Sequence, residues 1–213
     1  GARLMILSDG ADTPAQVAGI LSERGYGDSK IFVLEHMGGP QERGLEGTAT
    51  DWPHTDIAPF NTIGVECVAG SDAIILPRVP GLPDDAFTSD GNMTKREVRA
   101  ATLAALSPIP GQHLWDIGAG CGAISIEWMR AHPFCRATAV ESRADRIGLI
   151  ARNAIALGVP RLGMIEGQAT DVLAGLDAPD AIFIGGGAST PGLIDLCWDA
   201  LPAGGRLIAN VVT

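Results

Sequence analysis

Leu114-Trp115-Asp116-Ile117-Gly118-Ala119-Gly120-Cys121-Gly122 is the stretch whose reading decides the fold. It reads as a short buried strand, an acidic residue, and then glycines at every second position. Ala123 to Met129 follow with helical character. A strand that ends in such a loop and feeds a helix is a nucleotide-cradling turn. Glycine lets the backbone take positive φ and lets a ligand approach closely. The helix behind the loop offers unpaired N–H groups, which suit a carboxylate or a phosphate. The bland alternative is a tight strand-to-helix turn with no ligand.

Spacing separates two ligand classes. A dinucleotide fingerprint is G-x-G-x-x-G. Here the pattern is D-x-G-x-G-x-G, with the acid ahead of the first glycine, and it resembles the first motif of the class I S-adenosylmethionine methyltransferases. Glu141 sits where the next strand should end, the position from which such folds bind a ribose.

Working outward, the chain has 213 residues, enough for one large domain or one domain plus part of another. It is 46% hydrophobic and 19% charged, ordinary for a globular protein. No apolar run approaches a membrane span and no signal peptide is visible, so no membrane partner is expected. Cys67, Cys121, Cys135 and Cys197 lie far apart in apolar surroundings and make no C-x-x-C pair. They read as reduced thiols of a cytoplasmic protein, and no metal site is expected. The net charge of −10 argues against a nucleic-acid partner but leaves room for a local basic cluster.

Residues 94–213 alternate strand and helix, which predicts an α/β fold, a doubly wound, mostly parallel sheet of Rossmann-like type. Expected strands are His113–Ile117, Arg136–Val140, Leu162–Ile165, Ala181–Ile184 and Arg206–Val212. Thr94 with Glu97, and Ser142 with Asp145, read as capping boxes for the helices that follow. Residues 70–93, rich in proline and acidic residues, read as a connector and active-site loop. Residues 1–69 read as a partial α/β subdomain: strands Leu4–Leu7, Lys30–Glu35 and Thr62–Val68, a helix from Thr13-Pro14 to Gly25, and too little for a complete core.

The candidate site gathers at the strand ends. Gly118, Ala119, Gly120 and Gly122 form the loop, with Thr94 and Gly185 as further cofactor contacts. Asp116 either accepts from the cofactor's ammonium or braces the loop. Glu141 accepts from both ribose hydroxyls or caps a helix. Gln168 and Ala169 follow the third strand, where this fold reads an adenine edge; many relatives carry an acid where Gln168 stands. Gly186 and Gly187 leave room for a bulky, flat ligand, and no D/N-P-P-Y/F motif marks an amine target. Lys95, Arg96 and Arg99, with Arg78 in the connector, form a basic cluster suited to substrate carboxylates, or else a solvated helix face.

Residues 70–213 resemble the decarboxylating precorrin methyltransferase domain of cobalamin biosynthesis. The matching stretches are Pro80-Gly81-Leu82-Pro83-Asp84, Met93-Thr94-Lys95-Arg96-Glu97-Val98-Arg99, Leu114–Gly122, Ala139-Val140-Glu141 and Ile184–Gly187. Residues 1–69 resemble the closing part of a tetrapyrrole methylase domain, chiefly through Val33-Leu34-Glu35-His36-Met37-Gly38-Gly39-Pro40-Gln41-Glu42-Arg43.

The resemblance implies S-adenosyl-L-methionine as cofactor and a precorrin as substrate. It implies methylation of carbon 15 with decarboxylation of the carbon-12 acetate, fused members also methylating carbon 5, and a homo-oligomer. A class I sheet usually carries two more strands than are found here, so the expectation is a chain truncated after its fifth strand, entering midway through its first domain and lacking the carbon-5 activity. Three alternatives stay open: another class I methyltransferase acting on a small molecule or RNA, a nicotinamide oxidoreductase, and a non-catalytic cofactor-binding module.

Overall fold

A computed structural model describes residues 1–210 of the protein. It divides into two compact units, Gly1–Leu76 and the part from Pro77 onward. The division falls inside the segment 70–93 that the sequence suggests as a connector.

The first unit is a four-stranded antiparallel sheet in the order β1-β4-β2-β3 with one helix. Its elements are β1 (Arg3–Leu7), α1 (Thr13–Glu23), β2 (Lys30–Glu35), β3 (Arg43–Thr48) and β4 (Asn61–Glu66). Alternation decides its core: Ile31 and Val33 of β2 stand beside Val65 and Ile63 of β4, and all four are buried with Ala18 of α1. This corrects the expectation of an incomplete core. Glu35, the next inward position of β2, is buried too. Both its oxygens bond Arg43, and one also accepts the Ala58 N–H at 2.7 Å. The Arg43 guanidinium holds its carboxyl below the usual carboxylate range.

The second unit is a five-stranded parallel sheet in the order β7-β6-β5-β8-β9. Its strands are β5 (His113–Ile117), β6 (Arg136–Glu141), β7 (Gly163–Glu166), β8 (Ala181–Ile184) and β9 (Arg206–Ala209). Between them lie α2 (Arg96–Leu106), α3 (Ala123–Ala131), α4 (Ala144–Ala156), the short α5 (Ala169–Val172) and α6 (Leu193–Ala200). α2, α3 and α4 pack on one face and α5 and α6 on the other. All five residues of β5 are buried, as a central parallel strand requires. Of the expected last strand, Val211 and Val212 lie outside the described residues. No described helix is long and apolar enough to cross a membrane.

Neither capping box forms. α2 begins at Arg96 and α4 at Ala144, with no side-chain cap at either. Thr94 lies too far ahead of its helix, and Asp145 is held instead by Arg143 through bonds of 3.1 and 2.6 Å.

Arg99 is the larger correction. It is not a surface cation available to substrate but is fully buried on α2. Its guanidinium bonds Glu127 of α3 at 2.6 Å, Asp84 at 2.9 Å, and the carbonyls of Thr94 and Leu82. Glu127 in turn accepts the N–H groups of Gly81 (2.6 Å) and Leu82 (3.2 Å). Phe87 lies under the guanidinium at 4.9 Å. This pair pins the proline-rich segment after Pro77 onto α2 and α3. A buried charge is tolerated only while its partner stays. Glu127→Ala should therefore cost about 3–5 kcal/mol in urea unfolding. A loss under about 0.5 kcal/mol, the level of an ordinary surface change, would show that the pair is no anchor.

Candidate active site

The site lies at the carboxyl ends of β5, β6 and β8, where the strand order reverses and open α/β sheets hold their ligands. Two glycine loops meet there. Gly118 and Ala119 donate to the Val140 carbonyl, and Gly185 donates to that of Ile117. A Cβ built on Gly118 would lie 2.8 Å from the Gly186 nitrogen, so the two loops pack backbone on backbone. Gly118 and Gly120 also take φ of +67° and +61°, which side chains oppose. The result is a cleft of about 780 Å³ whose floor is formed by the two glycine loops, with Ile117, Ile124, Val140, Phe183 and Leu193 also lining it.

Glu141 ends β6 at the edge of this floor and is buried. Its Oε2 accepts the Gly120 N–H at 2.9 Å and its Oε1 the Arg143 N–H at 3.1 Å. Its carbonyl accepts from Gly167. One residue thus ties the glycine loop, the start of α4 and the loop after β7. Each carboxylate oxygen keeps a second acceptor position.

Asp116 lies one layer lower and does not line the cleft. Its Oδ2 accepts both the Ser125 N–H, at 3.0 Å, and the Ser125 hydroxyl. Ser125 is in the first turn of α3, whose N–H groups have no partner within the helix. Asp116 therefore caps α3 from the strand below, the loop-bracing role. Its Oδ1 is buried with no partner among the described residues. Burial pushes the carboxyl up to about 6.

The cleft gathers Thr94, Lys95, Gly118, Ala119, Gly120, Glu141, Gln168, Ala169, Gly185, Gly186 and Gly187. Gly122 is not among them; it starts α3 at φ +80°, where a Cβ would press on Ile150 at 3.0 Å. Arg78 is exposed and outside the cleft. Arg96 donates to the Gly81 carbonyl at 2.9 Å and also lies outside. The basic cluster therefore reduces to Lys95. Sequence reasoning missed Asn92, Arg146, Phe183 and Asn210, which all line the cleft. Arg146 was within reach, since it lies in the first turns of the helix after Glu141. Asn210 was not, because only the pairing of β9 beside β8 brings it there. Arg146 bonds Asp90 at 2.9 Å, while Lys95 has no carboxylate partner among the described residues.

The burial of Asp116 has a measurable consequence. In the unfolded chain it ionises near 3.8, and in the fold at about 6. Between those values the native protein holds a proton that the unfolded chain has released, so this residue's contribution to stability falls as pH rises. The stability of the wild type relative to Asp116→Asn should drop by about 2–3 kcal/mol from about pH 4 to about pH 7. Urea unfolding at both pH values measures it, and a constant difference would contradict the buried charge.

With this geometry in place, the comparisons are specific. A family model described as precorrin methyltransferase domain matches residues 85–213. Across all 213 residues the chain is 46% identical to a precorrin-6Y C(5,15)-methyltransferase (decarboxylating) of a Sinorhizobium species, covering 52% of that protein. Over 140 residues, 63% of this chain, it is 33% identical to a probable cobalt-precorrin-6B C(15)-methyltransferase (decarboxylating) of Saccharolobus solfataricus, covering 70% of it. The crystal structure of the C-terminal domain of precorrin-6Y C5,15-methyltransferase from Rhodobacter capsulatus matches with a TM-score of 0.61 and 47% identity, over 65% of this chain and 74% of that one. The chain spans about half the length of the precorrin-6Y relatives it matches. The stretch covered by the family model is the one that carries the cleft, and the chain belongs to the family of precorrin methyltransferase domains.

Proposed function

We propose that this chain transfers a methyl group from S-adenosyl-L-methionine to carbon 15 of a precorrin and removes carbon dioxide from the acetate on carbon 12. One observation carries the reading. Glu141, at the rim of the glycine loop, uses one acceptor position of each carboxylate oxygen on backbone N–H groups and keeps the other for a ribose diol. The residues fit the cofactor in two further respects. Gly118 and Gly120 let its methionine part approach the backbone, and Gln168 stands after β7, where an adenine edge would lie. The names of the relatives support the substrate and the two reactions.

When bound, the cofactor supplies an activated methyl group on sulfur. The protein's task is then chiefly alignment. Glu141 orients the ribose, the glycine loops set the depth of approach, and Gly186 and Gly187 leave a flat ring room to lie beside them. Lys95 offers a point charge to one of the ring's peripheral carboxylates. The electron pair left by decarboxylation passes into the conjugated ring. No residue is assigned as a general base.

Residues 1–69 are read as the closing part of a tetrapyrrole methylase domain, on the stretch Val33–Arg43. The carbon-5 step belongs in this reading to the whole fused enzyme. A cytoplasmic location is favoured by four free cysteines. A homo-oligomer acting on no nucleic acid rests on resemblance and on net charge.

The deciding experiment is mass spectrometry after incubation with S-adenosylmethionine and a reduced precorrin already methylated at carbon 5. Gain of one methyl and loss of one carbon dioxide are expected. No change, with the cofactor shown to bind, would refute the reading. Glu141→Ala should keep its circular dichroism spectrum and weaken cofactor binding by roughly ten- to a hundredfold, since it removes charge-assisted bonds of about 1.5–3 kcal/mol. Unchanged affinity in calorimetry would remove Glu141 from the site. Lys95→Ala should leave cofactor affinity alone and weaken tetrapyrrole binding; equal titrations for both proteins would count against the lysine.

A further inference from the structure

Asn153 of α4 is 3% exposed and lies outside the cleft, yet its carboxamide is engaged on three sides. Its Nδ2 donates to the carbonyls of Thr88 and Cys121, each at 2.9 Å, and its Oδ1 accepts the Thr88 N–H at 2.9 Å. Cys121 belongs to the glycine loop. Thr88 opens the segment that runs over it, of which Gly91, Asn92, Met93, Thr94 and Lys95 line the cleft. The two walls come close beside it: the Asn92 carbonyl oxygen lies 3.7 Å from where a Cβ of Gly120 would stand. Arg146, two helical turns before Asn153 on the same face of α4, holds the same segment a second time through Asp90 at 2.8 Å.

One amide thus joins two walls that belong to different parts of the chain. Neither wall is a regular element. The segment Ser89–Lys95 has no ladder of its own, and the glycine loop is held by three backbone bonds from Gly118, Ala119 and Gly122 and by the Gly120 bond to Glu141. A carboxamide is the group that suits the place, because it presents two donors and an acceptor without charge.

We propose that Asn153 is a positioning residue of the methyltransferase site: its carboxamide holds the covering segment in register on the glycine loop and so sets the opening that the cofactor enters. The inference rests on the cofactor reading above. Asn153 touches neither substrate nor cofactor and acts only through Thr88 and Cys121.

Asn153→Asp tests this in the full chain. It keeps the size and the acceptor toward the Thr88 N–H, and turns a carboxylate on the two carbonyls that lost their donors. In the ligand-free protein, hydrogen exchange should quicken together over residues 88–95 and 118–122. Calorimetric affinity for S-adenosylhomocysteine should fall by about tenfold, the effect of one neutral hydrogen bond. Leu162→Ala serves as the control. It opens a cavity at the amino end of the sheet, away from the cleft, and should lower thermal stability without changing that affinity. If the Asn153→Asp chain does not fold, Asn153→Ala carries the same two readouts. Exchange that rises in only one wall would overturn the proposal. So would exchange that rises in both while affinity stays unchanged, since the bonds would then be structural only. A wild-type chain that does not bind S-adenosylhomocysteine would instead refute the cofactor reading, and the exchange result would still decide whether Asn153 joins the walls.

Discussion

The main chain of Gly118 lies against the main chain of Gly186, and the mouth of the sheet is built around that contact. β5 and β8 are neighbours in a parallel sheet, so their outgoing loops leave side by side. Two ordinary loops would meet side chain to side chain and hold each other apart. Here the loops close to backbone distance, and the space in front of them stays open to a ligand. The close turn also brings the first turn of α3 back over β5. Its unpaired N–H groups then need an acceptor inside the protein, which Asp116 supplies. The acid in the motif is explained by the helix it caps before any ligand is considered.

That chain of causes is why so much of the fold could be read from residues 114–122. Glycine at alternate positions after a buried strand has few other uses, and the alternation of strand and helix that follows leaves one common sheet topology. Glu141 was legible for the same reason. Its position at the end of a strand is fixed by periodicity, and a strand end in such a sheet has one place to point.

The misreadings share a cause of their own. Charge groups Arg99 with Lys95 and Arg96, although its spacing from Thr102, Leu103 and Leu106 puts it on the buried face of α2. Only the segment after Pro77, which has no periodicity, covers it, with Glu127 arriving from another helix. The face on which Arg99 stands has a local mark, but the two carboxylates that meet it there do not. β3 was passed over because Arg43–Thr48 contains two glycines and a single large apolar residue, Leu45. It exists through its register with β2, where Glu35 meets Arg43 and fixes the end of the ladder. Asn210 enters the cleft for a comparable reason, through the pairing of β9 with β8.

The charge of the site follows from how its acids are spent. A chain of net charge −10 is a poor host for an anionic ligand, if charge is counted over the whole molecule. Around the cleft the count differs. Asp90 is paired with Arg146, Asp84 and Glu127 share the one guanidinium of Arg99, and Asp116 is sealed below the floor, where burial pushes its carboxyl up to about 6. Glu141 is committed to two backbone N–H groups. Among the described residues that line the cleft, Lys95 is the cation with no carboxylate partner, and Glu141 is the acid, with only a long 3.9 Å contact to Arg146. Charges farther off than about 8 Å are largely screened at physiological salt, so a ligand at the cleft meets this local field and not the net charge of the chain. An acidic protein can therefore still offer a ligand an unpaired cation, Lys95, where the neighbouring acid Asp90 already has its own arginine.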